Sequence, residues 1–476
     1  MEKLNKSKLF KGFYYAMIIY IVCAVLFFVV GDRQLKYKEN IKELLNNEEA
    51  VGGVTDKVIF DQKITSDDDI VSGVQLLVAT YSRKNDGNFI VSLLDSDSKK
   101  ELASSKVSVK EFQDNATYKV LFDKDVTGLK DRQVIVRITA DTKVETKAAT
   151  IYLNKTMATE KASKNGKEMD GTLCISLINE KPIFFGQHYF LFALLGGLLI
   201  ALYGFNVIRK FKAGKDSLVT MFVGTYIKYK FLIKQLVSRD FKTKYKRSVL
   251  GFFWSFLNPL FTMAIQYIVF STIFRANIDN FPVYLLTGSI LFTFFTESVG
   301  VGLTSIINNS SLITKVYMPK YIYPVSKVLS TAINLLISFA PLLLAVLVTG
   351  EKITKAYLLL PFVVICLLVF CLGMSFMLSA FMVFFRDTQF LWGIVSLLWM
   401  YATPLFYPES IIPSHFAFVL KVNPMYYFIK FARIVIMDGI SPEPIQYVMC
   451  MLCSAVSLII GMIVFKKSQD RFVLYL

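Results

Sequence analysis

A basic segment that passes directly into an aromatic one has the clearest chemistry in this sequence. It runs from Arg239 to Pro259, RDFKTKYKRSVLGFFWSFLNP. Lys246 and Arg247 stand close to Leu250-Gly251, where two cations could hold a phosphate through charge-assisted hydrogen bonds. Contact with anionic lipid headgroups is at least as common a use of such cations. Because aromatic side chains settle at the headgroup level and charged ones avoid hydrocarbon, the chain enters a membrane here.

Glu297 is the one clear carboxylate inside the apolar runs that follow. An intramembrane carboxylate costs several kcal/mol unless it meets a partner or water, so it is a functional-site hypothesis by default. One hydrogen bond between a protonated Glu297 and a neighbouring helix is an equally good explanation. A proton-coupled carrier usually needs a relay of such groups, whereas this sequence has essentially one.

Patterns that bind nucleotides or metals are missing from the sequence. It contains no G-x-x-x-x-G-K-[ST] motif, so we do not expect this chain to hydrolyse ATP itself. His188 and His415 are far apart in sequence, which gives metal binding little support. Cys450 and Cys453 lie in a hydrophobic run, where ordinary packing is favoured. We therefore expect no catalytic residue, metal or cofactor in this chain.

Aromatic residues at the front of the apolar region could line a passage along which flat sugar faces slide. For any single one, packing against lipid or between helices is the safer interpretation. The residues are Phe252, Phe253, Trp254, Phe292, Phe294 and Phe295. A later loop, Asn308 to Pro324, has prolines and mixed polarity, which is typical of a structured turn and suits docking to another protein.

Composition places the chain among polytopic membrane proteins. Of its 476 residues 54% are apolar, and several apolar runs reach the roughly 20 residues that span a bilayer. The net charge is +17, but basic and acidic residues nearly balance between Asp32 and Glu180. The excess includes a juxtamembrane segment from Arg209 to Arg247 that fits the positive-inside rule, so a nucleic-acid partner is not needed to explain it.

Eight membrane spans are predicted, with both termini in the cytosol. They are 13–30, 184–208, 252–274, 283–307, 323–348, 356–384, 389–408 and 443–465. The first is favoured as an uncleaved anchor, because it exceeds a signal-peptide core and lacks a small-x-small cleavage site. Residues 218–245 repeat apolar side chains at helical spacing among lysines, which predicts an amphipathic helix on the inner leaflet. A linker helix that only contacts lipid is the alternative.

Residues 32–184 have the composition of a water-soluble domain, and short β-rich runs between polar turns predict a β-sandwich outside the cytosol. The runs are 74–81, 89–94, 118–122, 134–138, 150–153 and 172–177. The charged segment before them, through Glu49, is predicted to be a short helix or stalk. Some aromatic residues of the domain could stack on sugars, although core packing is several times more common. They are Tyr81, Phe89, Tyr118 and Tyr152.

Several ordered motifs resemble those of the ABC-2 type permeases that export polysaccharides, teichoic acids and O-antigens. The motifs are RDFKTKYKRSVLGFFWSFLNPL, SLITKVYMPKYIYPVS, Phe385-Arg-Asp387, Trp399 to Pro408 and Asn423-Pro-Met425. The resemblance covers about Tyr226 to the C-terminus. It implies a homodimer of six-helix permeases in a bacterial plasma membrane, each bound to a separate ATPase subunit that holds ATP and Mg. The implied cargo is an undecaprenyl-pyrophosphate-linked glycan.

The resemblance also implies roles for particular residues. The lipid-pyrophosphate entrance would comprise Arg239, Lys246, Arg247, Leu250 and Gly251, with Phe252, Phe253 and Trp254 beside it. The segment seated in the ATPase would include Ser311, Leu312, Lys315, Val316, Tyr317, Pro319 and Lys320. The expected parts are a tail and anchor (1–31), an extracytoplasmic β-rich domain (32–184), a return helix (185–208), a linker with the interfacial helix (209–251) and the permease domain (252–476).

The first 210 or so residues depart from the plain family pattern, so their function cannot be inferred from the resemblance. Our hypothesis is that the outer domain receives or guides the emerging polymer, or docks a wall-attachment enzyme. A membrane glycosyltransferase or polymerase is the main alternative, although the cytosolic segments are too short to hold an obvious catalytic domain. A flippase of short lipid-linked oligosaccharides also stays open. A receptor that displays the β-domain would leave the last six spans unexplained.

Overall fold

The computed structural model describes residues 6–42, 44, 49–81, 83–112, 114–156, 161–214, 217–246, 248–270, 280–315, 318–413, 415 and 417–476. The chain divides into two compact units. One unit, the β unit, spans residues 36–188, and the other, the helical unit, comprises the chain before and after it.

The β unit contains two antiparallel sheets. Its strands are β1 (Tyr37–Ile41), β2 (Glu49–Ala50), β3 (Phe60–Thr65), β4 (Ile70–Ala79), β5 (Asn88–Asp95), β6 (Glu101–Ser108), β7 (Ala116–Thr127), β8 (Gln133–Ala140), β9 (Thr150–Asn154), β10 (Ser163–Lys164), β11 (Lys167–Glu168), β12 (Thr172–Leu173) and β13 (Ile175–Pro182). One sheet has the order β1-β13-β4-β9-β12, with β2 on β9 and β7 on β4, and the other has the order β11-β10-β3-β8-β5-β6.

Alternating apolar side chains of both sheets form one core, which explains why the β-rich runs of the sequence become strands. Leu76 and Ile151 enter it from the first sheet, and Val91 and Val136 enter it from the second. The prediction of a helix or stalk through Glu49 was wrong in part. Residues 37–41 form β1, because their backbone pairs with β13 at the edge of the first sheet.

The helical unit consists of helices, and the β unit contains one short α-helix, α2. They are α1 (Lys6–Lys36), α2 (Phe184–Gln187), α3 (Tyr189–Lys212), α4 (Leu218–Tyr245), α5 (Trp254–Ile268), α6 (Phe281–Leu303), α7 (Ser310–Lys315), α8 (Ile322–Thr349), α9 (Leu360–Phe384), α10 (Thr388–Ala402), α11 (Ala417–Val422), α12 (Pro424–Arg433), α13 (Pro444–Ser468) and α14 (Phe472–Tyr475).

Within the described residues, six helical segments are long and apolar enough to cross a membrane. They are Leu9–Gly31, Tyr189–Lys212, Phe281–Leu303, Ile322–Thr349, Lys355–Phe384 and Pro444–Tyr475. The other two predicted spans, 252–274 and 389–408, overlap α5 and α10, which have 15 residues each, and the predicted end at 408 was wrong because α10 ends at Ala402. The predicted end of the third span, residue 274, lies outside the described residues.

Small residues let α9 and α13 approach closely. A Cβ atom added to Gly461 would lie 2.1 Å from the carbonyl oxygen of Gly373, so only glycine fits there. Beside this contact, the Ser454 hydroxyl donates to the Cys366 carbonyl at 2.7 Å and the Ser457 hydroxyl donates to the Phe370 carbonyl at 2.9 Å. Close backbone packing and interhelical hydrogen bonds are what hold helices together in lipid.

Gly461→Ala is expected to lower the free energy of unfolding by about 2–3 kcal/mol, because the added methyl meets backbone that cannot rotate away. The change is measured as the thermal unfolding midpoint of the full chain in detergent. Gly393→Ala on α10 is the control, since nothing lies within 4 Å of its added Cβ atom. Equal midpoints for the two variants would contradict the prediction.

Candidate functional site

The C-terminal end of α4 is tied to the helices around it by charged side chains. Asp240 Oδ1 accepts hydrogen bonds from Arg239 Nε at 3.2 Å and Nη2 at 3.1 Å. Asp240 Oδ2 lies 2.9 Å from the ammonium of Lys327 on α8, and only 12% and 19% of these two side chains are exposed. Arg239 Nη2 also donates to the Asn309 amide oxygen at 3.4 Å, just before α7. The end of α4 is therefore fixed to α8 and to the loop that precedes α7.

Glu297, the carboxylate found from the sequence, forms an ion pair with Lys244 in the last turn of α4. The next residue, Tyr245, donates its hydroxyl to the Asn334 amide oxygen at 2.9 Å and contacts the Ser255 hydroxyl. The neighbouring group that satisfies Glu297 is therefore a cation of α4 rather than a neutral hydrogen-bond partner.

A small cleft of about 70 Å³ lies beside this ion pair, between α5, α6 and α8. Its polar lining is Asn258, Thr262, Ser289, Thr293, Glu297, Thr331, Asn334 and Ser338, and its apolar lining is Pro259, Ile290, Phe294 and Leu335. Hydroxyl and amide groups can both donate and accept hydrogen bonds, as sugar hydroxyls do. The cleft therefore suits a neutral polyhydroxylated group.

We expect the Glu297–Lys244 pair to contribute no more than about 1 kcal/mol to stability, because 32% and 42% of these side chains are exposed. The measurement is a double-mutant cycle with Glu297→Gln and Lys244→Met, read as unfolding midpoints in detergent. A reversed pair, Glu297→Lys with Lys244→Glu, is the control and should recover the coupling. A coupling energy of several kcal/mol would contradict this prediction.

The segment after α4 is exposed. Lys246 and Leu250 are exposed, and Gly251 has a φ of +52°, a conformation that favours glycine. Arg247 lies outside the described residues. The Lys246 ammonium and the turn at Gly251 are therefore accessible. That this segment binds a lipid pyrophosphate stays a prediction.

The predicted channel aromatics fall into two groups. Phe253 and Trp254 are exposed at the start of α5, and the side chain of Phe252 is outside the described part of the chain. Phe292 and Phe295 are buried, and the ring of Phe295 packs against Phe370, Trp392 and Trp399.

Helical periodicity explains this separation. Residues 290, 293, 294 and 297 share one face of α6 and line the cleft, whereas 292, 295 and 299 lie on the opposite face and pack only in the core of the helical unit. Phe294 is thus the α6 aromatic that lines the cleft. Counting three and four residues back from Glu297 would have identified that face in the sequence.

The loop predicted to meet an ATPase is built around α7. Ser311, Leu312 and Lys315 are exposed, while Ile313 is buried in a cluster with Tyr323 and Phe472. Pro319 is half-buried, and Val316 and Tyr317 lie outside the described residues. Lys320 donates to the Gln469 carbonyl at 2.5 Å and lies over the Phe472 ring. The exposed face of α7 remains available to a partner, whereas Lys320 binds the C-terminal segment of its own chain.

A groove of about 700 Å³ runs between α4 and α8. Aromatic and apolar side chains line most of it, including Tyr226, Phe231 and Leu329, and Lys230 and Lys234 also belong to its lining. An apolar groove with cations beside it suits a lipid chain that carries an anionic head.

Arg433 is a buried cation that the sequence interpretation missed. It lies at the end of α12, only 9% exposed, with its guanidinium 3.3 Å from the centre of the Tyr284 ring. It donates to the carbonyls of Pro404, Leu405 and Tyr284 at 2.7, 3.0 and 3.3 Å. Two features of the sequence could have indicated this role: Arg433 is in the last turn of α12, and the segment directly after α10 is non-helical and has carbonyls that need donors.

In the described residues no group of three or more His, Cys, Asp or Glu could hold a metal.

Comparison with known proteins connects this arrangement to a family. Residues 231–437 match the ABC-2 type transporter family. The chain is 36% identical over 199 residues to the O-antigen export system permease protein RfbA of Myxococcus xanthus, covering 41% of this chain and 76% of that protein. A protein of the same name from Klebsiella pneumoniae is 29% identical over 243 residues, 51% of this chain and 93% of its own length.

The polysialic acid transport protein KpsM of Escherichia coli is 24% identical over 250 residues, 51% of this chain and 95% of that protein. The family match, residues 231–437, falls on the helical unit and includes the ion pairs of α4, the cleft and the exposed α7. The chain belongs to the ABC-2 type transporter family, as a relative of the O-antigen export permeases.

Proposed function

We propose that this chain is the permease subunit of an ATP-driven exporter that moves a lipid-linked polysaccharide from the cytosol to the cell surface. The observation that carries the proposal is the attachment of the basic helix α4, through Asp240 and Lys244, to helices that line a hydroxyl-rich cleft. The names of the relatives, O-antigen export and polysialic acid transport, support a polysaccharide cargo.

The cargo is an undecaprenyl-pyrophosphate-linked glycan: an O-antigen-like chain, a teichoic acid or another cell-wall polymer. Its lipid occupies the groove between α4 and α8, whose lining includes Lys230 and Lys234. Its pyrophosphate binds Lys246 and Arg247 before the sugars enter past Phe253 and Trp254. Charge-assisted hydrogen bonds from two cations suit a pyrophosphate better than a neutral headgroup.

A separate ATPase subunit, present in two copies, supplies the energy and holds ATP and Mg. It contacts the exposed side chains of α7, among them Ser311, Leu312 and Lys315. Two copies of this chain form the transporter, and neither is itself an enzyme. The chain lies in the bacterial plasma membrane with both termini in the cytosol and residues 32–184 outside, as the distribution of Lys and Arg around the apolar segments favours.

The decisive test is ATP hydrolysis by the chain co-purified with its ATPase subunit, with and without lipid-linked glycan extracted from the native membrane. We expect Lys246→Ala with Arg247→Ala to raise the half-stimulating glycan concentration roughly tenfold or more, because two phosphate contacts are lost. Lys210→Ala with Lys212→Ala, two exposed cations at the end of α3, is the matched control.

Unchanged stimulation in the double variant would overturn the role of the entrance cations. Failure of any ATPase subunit to associate with the native chain would overturn the exporter itself.

A further inference from the structure

Three loops of the β unit meet around an open pocket that the permease function does not use. The segment after β4 contributes Tyr81 and Arg83, the segment after β2 contributes Gly52 and Gly53, and the turn before β9 contributes Glu145 and Thr146. The pocket has a volume of about 500 Å³. This is within the range of about 300–1,000 Å³ that small-molecule sites occupy.

Tyr81 differs from the other aromatic residues that the sequence suggested for sugar stacking. Phe89 is fully buried, Tyr118 packs against the Phe112 ring, and the Tyr152 hydroxyl bonds to a neighbouring side chain. Tyr81 is 45% exposed, and the Arg83 guanidinium lies 4.7 Å from the centre of its ring. The pocket therefore presents a partly exposed aromatic ring, with the Arg83 cation over one of its faces.

The backbone holds Tyr81 in a costly conformation. Its φ is +54°, which is unfavourable for a bulky side chain. The carboxylate of Asp114 stabilises it by accepting the backbone N–H groups of Thr80 at 2.6 Å and Tyr81 at 2.8 Å. Such strain collects at binding sites, where the surrounding structure maintains it.

The three loops are fixed to one another without a ligand. The Thr150 hydroxyl donates to the Gly52 carbonyl at 2.6 Å, and the Val54 N–H donates to the Ala149 carbonyl at 2.9 Å. The Asp86 N–H donates to the Lys147 carbonyl at 3.0 Å, which joins the segment after Arg83 to the turn that carries Glu145. A pocket whose loops are already ordered loses little conformational entropy when it binds.

The chemistry of the lining points to a sugar ring. An aromatic ring packs against the apolar face of a pyranose, and the hydroxyls at the edge of the pyranose hydrogen-bond to side-chain donors and acceptors. Arg83 supplies donors and Glu145 supplies acceptors, and within the described part of the chain neither forms an ion pair with another residue.

We propose that this pocket binds a pyranose unit of the polysaccharide that the permease exports. The choice of ligand rests on the proposed export function. Tyr81 provides the stacking face, and Arg83 and Glu145 hydrogen-bond the sugar hydroxyls.

The test measures binding of fluorescently labelled fragments of the native cell's surface polysaccharide to the full chain in detergent micelles. Tyr81→Ala should weaken binding roughly tenfold, since an aromatic contact is lost. Tyr81→Phe should bind as the native chain does, because the aromatic ring is kept. Arg83→Ala should weaken binding while leaving Tyr81 itself unchanged. Leu121→Ala, a similarly exposed apolar residue of the same unit, is the control and should bind normally.

A parallel assay scores delivery of polysaccharide to the surface of cells that carry each variant. If the native chain delivers polymer but does not bind the fragments, or if Tyr81→Ala and Arg83→Ala bind as the native chain does, the pocket assignment is wrong while the export function stands. If the native chain neither binds nor delivers the polymer, both fail.

Discussion

Replacing Arg433 by Met is expected to lower the free energy of unfolding by roughly 3 kcal/mol, the largest effect of any single substitution considered for this chain. The guanidinium donates to three carbonyls, those of Pro404, Leu405 and Tyr284. Pro404 and Leu405 lie in the non-helical segment between α10 and α12, where their carbonyls receive no helical hydrogen bond, although the Pro404 carbonyl also accepts a longer bond of 3.3 Å from the Tyr284 hydroxyl. Buried carbonyls without a donor are costly, above all away from water.

The measurement is the thermal unfolding midpoint of the full chain in detergent. Lys430→Met is the matched control on the same helix, since Lys430 pairs with Glu409 at 2.9 Å but both side chains are more than a third exposed. We expect that control to lose about 1 kcal/mol or less. Arg433→Lys should fall between the two, because an ammonium lacks the planar set of donors. Equal midpoints for Arg433→Met and Lys430→Met would refute the structural role.

Asp240→Ala is expected to cost about 2–3 kcal/mol and to reduce glycan-stimulated ATP hydrolysis. The substitution leaves the mostly buried ammonium of Lys327 without its counter-charge, and removing one member of a buried pair is strongly destabilising. It also frees the end of α4 from α8 and removes the contact that Asp240 makes with Arg239, one of the entrance cations.

Lys327→Met tests this interpretation in combination. Because replacement of both members by apolar groups is often close to neutral, the double variant should be more stable than Asp240→Ala alone. Thermal unfolding midpoints measure the loss of stability. ATP hydrolysis with the ATPase subunit measures the loss of glycan-stimulated activity. Additive losses in the double variant would show that the two side chains are not coupled.

Local patterns in the sequence determined much of this protein. Apolar runs predicted the positions of the long helices, alternating apolar residues predicted the strands from β4 to β9 except β6, and helical spacing among lysines predicted α4 with the bounds 218–245. The motifs also identified the family. These features are readable because each depends on residues close together in the chain, through the periods of helix and strand.

Only the tertiary structure decided which side chains meet. It paired Glu297 with Lys244, placed Phe294 in the cleft and Phe295 in the core, and gave Arg433 its carbonyl partners. It also turned residues 37–41 into an edge strand by pairing them with β13. These contacts join residues that are far apart in sequence. Local sequence patterns do not indicate which distant side chains will lie within a few ångströms of each other, because that depends on how the helices and strands pack.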